Sequence, residues 1–139
     1  MKNFDHARLG LLLPFQIRER LAANPLVFIP LGTIEWHSEH LPVGLDALTA
    51  EGLCLRAADR IGGLVYPALH YGTGGGHGAY PWTVMLKTPD ELEAALRFTL
   101  QRLHEFGVEK VVLFSGHFPD GQLDMIDRLA ATWTTPDTP

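Results

Sequence analysis

The chain has 139 residues, of which 46% are hydrophobic and 19% charged, and its formal net charge is −5 at pH 7. This length suits one domain with one hydrophobic core, and the hydrophobic content argues against a disordered protein. An acidic chain without a block of Lys or Arg is not typical of proteins that bind nucleic acid or anionic membranes. No apolar run approaches the ~18 residues that span a bilayer.

The N-terminus and the cysteine content indicate a cellular location. The first residues lack the charged-then-apolar layout of a signal peptide. The single cysteine, Cys54, provides neither a disulfide framework nor a thiolate zinc site. We therefore expect a cytoplasmic protein in which Cys54 is part of a helix core.

The first half of the chain alternates predicted helices and strands. A helix is expected over 9–23, followed by a buried strand over 26–31. Pro30 should fall at the end of that strand, because proline has no N–H for a sheet ladder. A second helix over 46–61 has Leu48, Leu53, Leu55, Ala58 and Ile61 as its apolar positions, and a short strand follows at 64–68.

The second half continues the alternation. Thr88 and Glu91 form a capping box at the start of a helix that ends near Gly107. A nearly continuous apolar strand follows over 108–115, as expected for a parallel strand buried on both faces. The pattern predicts an α/β fold with three layers, in which helices flank a mostly parallel sheet. It predicts a single domain over 1–139. After a last helix at 121–131, residues 132–139 form a flexible polar tail.

Residues 31–46 carry the main functional signal, because they follow the first strand with a dense set of carboxylates and imidazoles: Glu35, His37, Glu39, His40 and Asp46. Such donors suit zinc, manganese or iron better than calcium. On an extended segment, residues two apart point the same way, so Glu35 and His37 can reach one centre. The alternative is a polar loop in which Asp46 caps the next helix.

Four of the candidate donors follow the ends of separate predicted strands. Glu35, His37 and Asp46 come after the first strand, and His117 comes directly after the third. Parallel sheets place their sites at the carboxyl ends of strands. This convergence favours a metal centre over scattered polar residues.

A glycine-rich segment lies between the two groups of donors. Residues 74–79 formally match the dinucleotide pattern G-x-G-x-x-A, but that pattern should open a helix, and the following Tyr-Pro-Trp does not continue as one. We expect a tight loop close to a ligand or a neighbouring subunit, with His70 and His77 able to face the site. A nucleotide-binding domain is a weaker alternative that rests on the glycines alone.

The residues also match a known family. Residues 32–46, Gly-Thr-Ile-Glu-Trp-His-Ser-Glu-His-Leu-Pro-Val-Gly-Leu-Asp, resemble the signature of the creatininase (creatinine amidohydrolase) family, roughly G-S-x-E-Q-H-G-x-H-L-P-x-x-T-D. Residues 66–72 and 78–83 are similar to its Pro/Tyr/Gly-rich part. Residues 111–120 resemble its strand ending in N-G-H-G-G-N or G-H-Y-E-N.

The resemblance implies a metal-dependent amidohydrolase that cleaves a small non-peptide, possibly cyclic, amide with metal-activated water and assembles into homo-oligomers, commonly hexamers. Glu35, Asp46 and His117 would hold one ion, and His37 with a bridging Asp46 would help to hold a second. The one or two ions would be zinc, alternatively manganese or iron.

The surroundings of these ligands are predicted less fully. His40 would lie behind the ligands and orient them. Trp36, His77 and Phe118 would line the substrate pocket, and the residues identify no catalytic acid or base.

The chain departs from the family pattern in ways that leave a second hypothesis open. The acidic ligand expected two residues after His117 is Pro119, and Asp120, one position further, is a possible extra ligand or a helix cap. The downstream family motif that supplies another acid does not occur, so we expect a short or C-terminally truncated member. The alternative is a shortened relative with an incomplete metal site that acts as a binding or assembly module without catalysis.

Overall fold

The computed structural model describes residues 4–133. Two short 3-10 turns, Asp5–Ala7 and Leu9–Leu11, precede a regular alternation of helices and strands. The elements are α1 (Pro14–Ala23), β1 (Leu26–Leu31), α2 (Leu45–Ile61), β2 (Leu64–Val65), α3 (Pro89–Glu105), β3 (Lys110–Ser115) and α4 (Asp120–Thr132). The predicted α/β class is confirmed. None of these helices is long and apolar enough to cross a bilayer.

The three strands form one parallel sheet in the order β2-β1-β3. Pro30 lies inside the central strand, paired with Phe114, and not at the strand end as predicted. The strand tolerates it because β2 covers only Leu64–Val65. Beyond that ladder the carbonyl of Pro30 is the only backbone group of this residue that needs a partner, and it accepts the N–H of Leu69 at 2.9 Å.

Helices cover both faces of β1 and build two apolar clusters. On one face Val27, Ile29 and Leu31 pack with buried side chains of α3 and α4. On the other face Phe28 and Val65 pack with Cys54, Leu55 and Ala58 of α2. This is the predicted three-layer arrangement, and it leaves the carboxyl ends of β1 and β3 at one edge of the sheet.

Local signals fix both ends of α3. The carboxylate of Glu91 accepts the backbone N–H of Thr88 at 3.1 Å, so the predicted capping box begins the helix. At the other end Gly107 has φ +91°, and Val108 donates its N–H to the carbonyl of Leu103. This is the Schellman arrangement that glycine favours.

Several predicted details were wrong. The helix expected over 9–23 begins only at Pro14, and the second helix begins at Leu45 with Gly44 as its N-cap, so Asp46 lies in the first turn and is not the cap. Three predicted apolar positions of α2 are exposed instead of buried: Leu48, Leu53 and Ile61.

The last part of the chain also differs from the prediction. β3 is not buried on both faces, because β3 lies at the edge of the sheet and Val112 is 40% exposed. Thr132 belongs to α4 and Trp133 packs against the larger apolar cluster, so neither is part of a flexible tail; the remaining residues of the predicted tail, 134–139, lie outside the described residues.

Two glycines bring the ends of β1 and β3 against the start of α2. A Cβ added at Gly32 would lie 2.2 Å from the backbone nitrogen of Ala47. A Cβ added at Gly116 would lie 2.1 Å from the backbone oxygen of Asp46. Only glycine permits this approach, and the approach carries Asp46 to the strand ends.

Candidate metal centre

The structure brings the four predicted metal ligands together. Nδ1 of His117 lies 3.0 Å from Oε2 of Glu35 and 3.0 Å from Oδ2 of Asp46. Nε2 of His37 lies 3.1 Å from Oδ1 of Asp46. Asp46 therefore presents one oxygen to each imidazole, so its carboxylate lies between His37 and His117. The side chains of Glu35 and Asp46 are only 7% and 6% exposed.

Both ring nitrogens of His37 face oxygen atoms. Nδ1 lies 3.0 Å from the backbone carbonyl oxygen of Glu35, and Nε2 lies against the carboxylate of Asp46. A carbonyl only accepts hydrogen bonds, so Nδ1 carries the proton. In the neutral ring Nε2 then offers a lone pair toward a carboxylate, so the contact becomes favourable when either a metal ion or a second ring proton joins the two atoms. A backbone carbonyl on the far nitrogen is a common support for a metal-binding histidine.

His117 is the most buried imidazole of the cluster, at 4% exposure. Burial by itself lowers its pKa, but the hydrogen bond with Asp46 and the charges of Glu35 and Asp46 act in the opposite direction. The net result is a His117 pKa above the ordinary value. Without a metal the two carboxylates therefore favour the protonated form of this ring more than water does, and a metal ion competes with that proton for the ring nitrogen.

A buried polar network fixes the segment that carries His117. The backbone N–H of His117 donates to Oγ of Ser115 at 3.2 Å. The side-chain amide of Gln122 donates to the same Oγ at 2.9 Å and accepts the backbone N–H of Thr73 at 2.9 Å. Gln122 thus joins the turn after β3 to the glycine-rich loop.

Sequence reasoning missed Gln122 and Thr73. The available signal was the apolar stripe of α4, whose buried positions are Gln122, Met125 and Leu129. A glutamine at an apolar helical position needs buried partners, and that need marks Gln122 as a structural polar residue.

The glycine-rich loop passes over the cluster. Added Cβ atoms at Gly74 and Gly75 would lie 3.1 and 3.3 Å from the ring of Pro119, and both glycines have positive φ. The loop brings Nδ1 of His77 to 2.7 Å from Oε1 of Glu35. His70, also in this loop, is exposed and lies against the carbonyl of Ala68.

A cavity of about 220 Å³ opens above the four clustered side chains. The loop residues Gly75, Gly76 and His77 form one wall, and Phe118 and Pro119 form another. Its volume lies below the ~300–1,000 Å³ typical of pockets for drug-sized ligands. The cavity therefore suits a small molecule.

The remaining predicted site residues take different places. Phe118 and His77 line the cavity, whereas Trp36 does not; its ring stacks on Tyr80 instead. Asp120 is exposed at the first turn of α4 and does not line the cavity. His40 is exposed and forms no hydrogen bond or ion pair with any described residue, so the geometry does not support its predicted role behind the ligands.

The donors present fit a divalent cation. One atom each from Glu35, His37 and Asp46 lie within 4.8 Å of one another, and His117 adds a second imidazole nitrogen beside both carboxylates. Two carboxylates that share a buried site repel each other unless positive charge lies between them. Mixed oxygen and imidazole donors suit zinc or manganese.

Comparison with known families gives one extended match. A family model, Creatininase, described as creatinine amidohydrolase, matches residues 14–136. The creatinine amidohydrolase of Pseudomonas putida is 33% identical over 105 residues, which cover 71% of this chain and 40% of that protein. The mycofactocin precursor peptide peptidase of Mycolicibacterium smegmatis is 30% identical over 105 residues, covering 67% and 39%.

Solved structures show the same fold. A crystal structure of creatinine amidohydrolase matches with a TM-score of 0.78 and 30% identity, covering 90% of this chain and 51% of that chain. Structures described as a Zn-Zn type creatininase variant and a manganese creatininase each match with a TM-score of 0.78 and 28% identity. Each covers 94% of this chain, and the shares of those chains are 53% and 56%. The chain therefore spans about half the length of these relatives.

Proposed function

Because the chain belongs to the creatininase family, as the family match over residues 14–136 shows, we propose that it carries the metal site of a metal-dependent amidohydrolase. The proposed reaction is hydrolysis of a C–N bond in a small non-peptide amide, either cyclic or open-chain. The observation that carries the proposal is the convergence of Glu35, His37, Asp46 and His117 from two distant parts of the chain.

These four side chains would hold the cation, which we propose to be zinc or alternatively manganese or iron. When bound, the cation supplies the Lewis acidity that polarises an amide carbonyl and makes water a nucleophile near neutral pH. The chain itself holds the donors in place. The Glu35 carbonyl orients His37, and Ser115 orients the backbone of His117.

Burial and cavity shape support a small substrate. The carboxylates of Glu35 and Asp46 are almost fully shielded from water, which strengthens their attraction for a cation. The cavity of about 220 Å³ has Phe118 and His77 at its wall. A flat, compact amide would fit against Phe118, which is 66% exposed.

A second candidate function is a binding or assembly module without catalysis. The position expected to supply another acid is Pro119, which forms part of the cavity wall. Among residues 4–133 the carboxylates that line this cavity are Glu35 and Asp46. This observation favours one fully ligated ion over two. The solved chain described as a Zn-Zn type creatininase variant is about twice as long as this one.

We further propose that copies of the chain associate. Large apolar side chains are exposed on several elements, including Leu53 of α2 and Phe98 of α3. Where such side chains form a contiguous patch, the patch often marks an interface between proteins. A hexamer is the state that the family resemblance implies, and light scattering at micromolar concentration measures it; a monomer would contradict the proposal.

Metal analysis tests the ligand assignment. Protein purified without chelator should contain zinc, manganese or iron, and Glu35→Gln and His117→Ala should lose it. Glu39→Gln is the matched control, because Glu39 lies in the same segment but is exposed. Full metal retention in both site variants would contradict the assignment.

Turnover separates the two candidate functions. We expect hydrolysis of a small amide, with creatinine as the first probe, that stops on chelation and returns with added metal. A chain that binds its metal fully but hydrolyses neither creatinine nor other small amides would support the binding module instead.

A further inference from the structure

His77 makes a polar contact from the glycine-rich loop to the cluster. Its Nδ1 lies 2.7 Å from Oε1 of Glu35, a shorter contact than those that His37 and His117 make with Glu35 and Asp46. Glu35 has its other oxygen, Oε2, at 3.0 Å from His117 and 3.9 Å from His37. The two oxygens of Glu35 therefore face different neighbours.

The chemistry of the two groups fixes the direction of the hydrogen bond. An ionised carboxylate only accepts hydrogen bonds. Nδ1 of His77 must therefore carry the ring hydrogen and donate a hydrogen bond to Oε1. A donor on one oxygen restricts rotation of the carboxylate and turns the other oxygen toward the centre of the cluster. Hydrogen bonds of this kind to ligating carboxylates hold metal sites in shape.

The position of His77 is itself determined by packing. The ring lies edge-on to Trp36, with centroids 6.2 Å apart, and edge-on to Tyr80, with centroids 5.5 Å apart. Trp36 and Tyr80 stack on each other at 4.5 Å. The two aromatic rings thus hold the imidazole over Glu35, while its side chain remains 46% exposed.

We propose that His77 is a positioning residue of the metal site, which holds Glu35 in its ligating orientation through the Nδ1–Oε1 hydrogen bond. This inference rests on the proposed metal site. This role differs from that of a substrate-pocket residue, because the hydrogen bond from His77 goes to Glu35, a proposed metal ligand, and not to the substrate. In this proposal Trp36 and Tyr80 hold the imidazole of His77, the hydrogen-bond donor, in position.

Three substitutions separate the hydrogen bond from the packing. His77→Phe keeps a ring against Trp36 and Tyr80 but removes the donor. His77→Asn removes the ring but places an amide N–H where Nδ1 was. His77→Ala removes both. His70→Ala is the matched control, because His70 is an exposed histidine of the same loop whose polar contact is with the backbone of Ala68.

The measurement is zinc affinity by competition with a chromophoric chelator, together with thermal unfolding of the metal-free proteins. We expect His77→Phe and His77→Ala to bind zinc about 10–100-fold more weakly than the unmodified chain. His77→Asn should recover most of that loss, and His70→Ala should bind as the unmodified chain does. Metal-free unfolding should follow the packing instead, with His77→Phe the least affected variant.

The outcomes distinguish this inference from the proposed function. If Glu35→Gln abolishes zinc binding but His77→Phe binds as tightly as the unmodified chain, the role of His77 is wrong and the metal site stands. If affinity is retained in His77→Phe and lost in His77→Asn, packing alone is responsible and the inference also fails. If Glu35→Gln retains full affinity, the proposed metal site itself fails.

Discussion

At Gly116 the turn after β3 passes so close to α2 that an added Cβ would lie 2.1 Å from the backbone oxygen of Asp46 and 2.9 Å from its carbonyl carbon. These are backbone atoms, which cannot move aside as a flexible side chain can. We predict that Gly116→Ala destabilises the fold by about 1–3 kcal/mol, the usual cost of overpacking. It should also separate Asp46 from His117 and weaken zinc binding. Urea unfolding and a zinc titration measure the two effects.

Gly52→Ala is the control for this prediction. Gly52 lies within α2, the helix that the turn at Gly116 approaches, and an added Cβ there meets nothing within 4 Å. Because alanine is the better helix former, this change should stabilise the fold by up to about 1 kcal/mol. If Gly116→Ala were as stable as Gly52→Ala, the close approach of the turn to α2 would not be required.

The sequence revealed the donors at this scale but not their surroundings. Glu35, His37, Asp46 and His117 were predicted because they are chemically unusual residues beside strand ends. The contact of His77 with Glu35 depends on the path of the glycine-rich loop, and residue spacing does not encode that path. His40 shows the opposite error: it lies within the same motif, yet it points to solvent.

Between elements, Gln122 is the buried connection from α4 to both the glycine-rich loop and Ser115. Gln122→Met preserves volume but leaves the backbone N–H of Thr73 without its acceptor. We predict a loss of about 1–3 kcal/mol in stability, the cost of an unsatisfied buried polar group. Zinc affinity should also fall, because the turn that carries His117 loses its support.

Gln101→Met provides the comparison. Gln101 lies on α3 and donates its side-chain hydrogen bond to Glu105 on the exposed side of that helix. The same substitution there should change stability by less than about 0.5 kcal/mol. Equal stability losses at the two positions would refute the connecting role of Gln122.

Both ends of α3 agree with the prediction, because their signals are local. Thr88, Glu91 and Gly107 determine α3 through hydrogen bonds within a few residues. Pro30 was misplaced because its tolerance depends on where the neighbouring strand β2 ends. Leu48 and Leu53 are predicted core positions that the structure leaves exposed, because periodicity identifies apolar residues but does not reveal how far a neighbouring layer extends.

At the scale of the whole molecule, ionisation of the Cys54 thiol makes the stability of the fold depend on pH. Cys54 is buried between α2 and the sheet. Its burial, and to a smaller extent the negative charge of Glu51, raise the pKa of the thiol to about 11. In the unfolded chain the thiol ionises near pH ~8.5. The contribution of Cys54 to stability is therefore fully present below that value and is lost progressively as pH rises toward 11, because over this range only the unfolded state gains from ionisation.

We predict that the native protein reacts slowly with a thiol reagent at pH 8 and reacts rapidly in denaturant. Urea unfolding should show a decline in stability between pH 8 and pH 10, and the decline should be smaller in Cys54→Ala. An equal decline in both proteins would show that other groups determine the pH dependence. Rapid labelling of the native protein would show that α2 opens locally.

The alternation of helices and strands was sufficient to predict the α/β class, and the family resemblance agreed with it. The strand order β2-β1-β3 was not predictable from the pattern, since parallel connections leave several orders open. The proposed association of copies depends on exposed surfaces that become visible only after folding, such as Leu53 and Phe98.

His117 is separated from Asp46 by 71 positions in the chain, and it is carried by an edge strand. If β3 frayed from the sheet, Glu35, His37 and Asp46 would stay together while the imidazole facing both carboxylates departed. Dissociation of a bound ion and separation of β3 from the sheet would then occur in the same kinetic step. The residence time of the ion would report how often that edge opens.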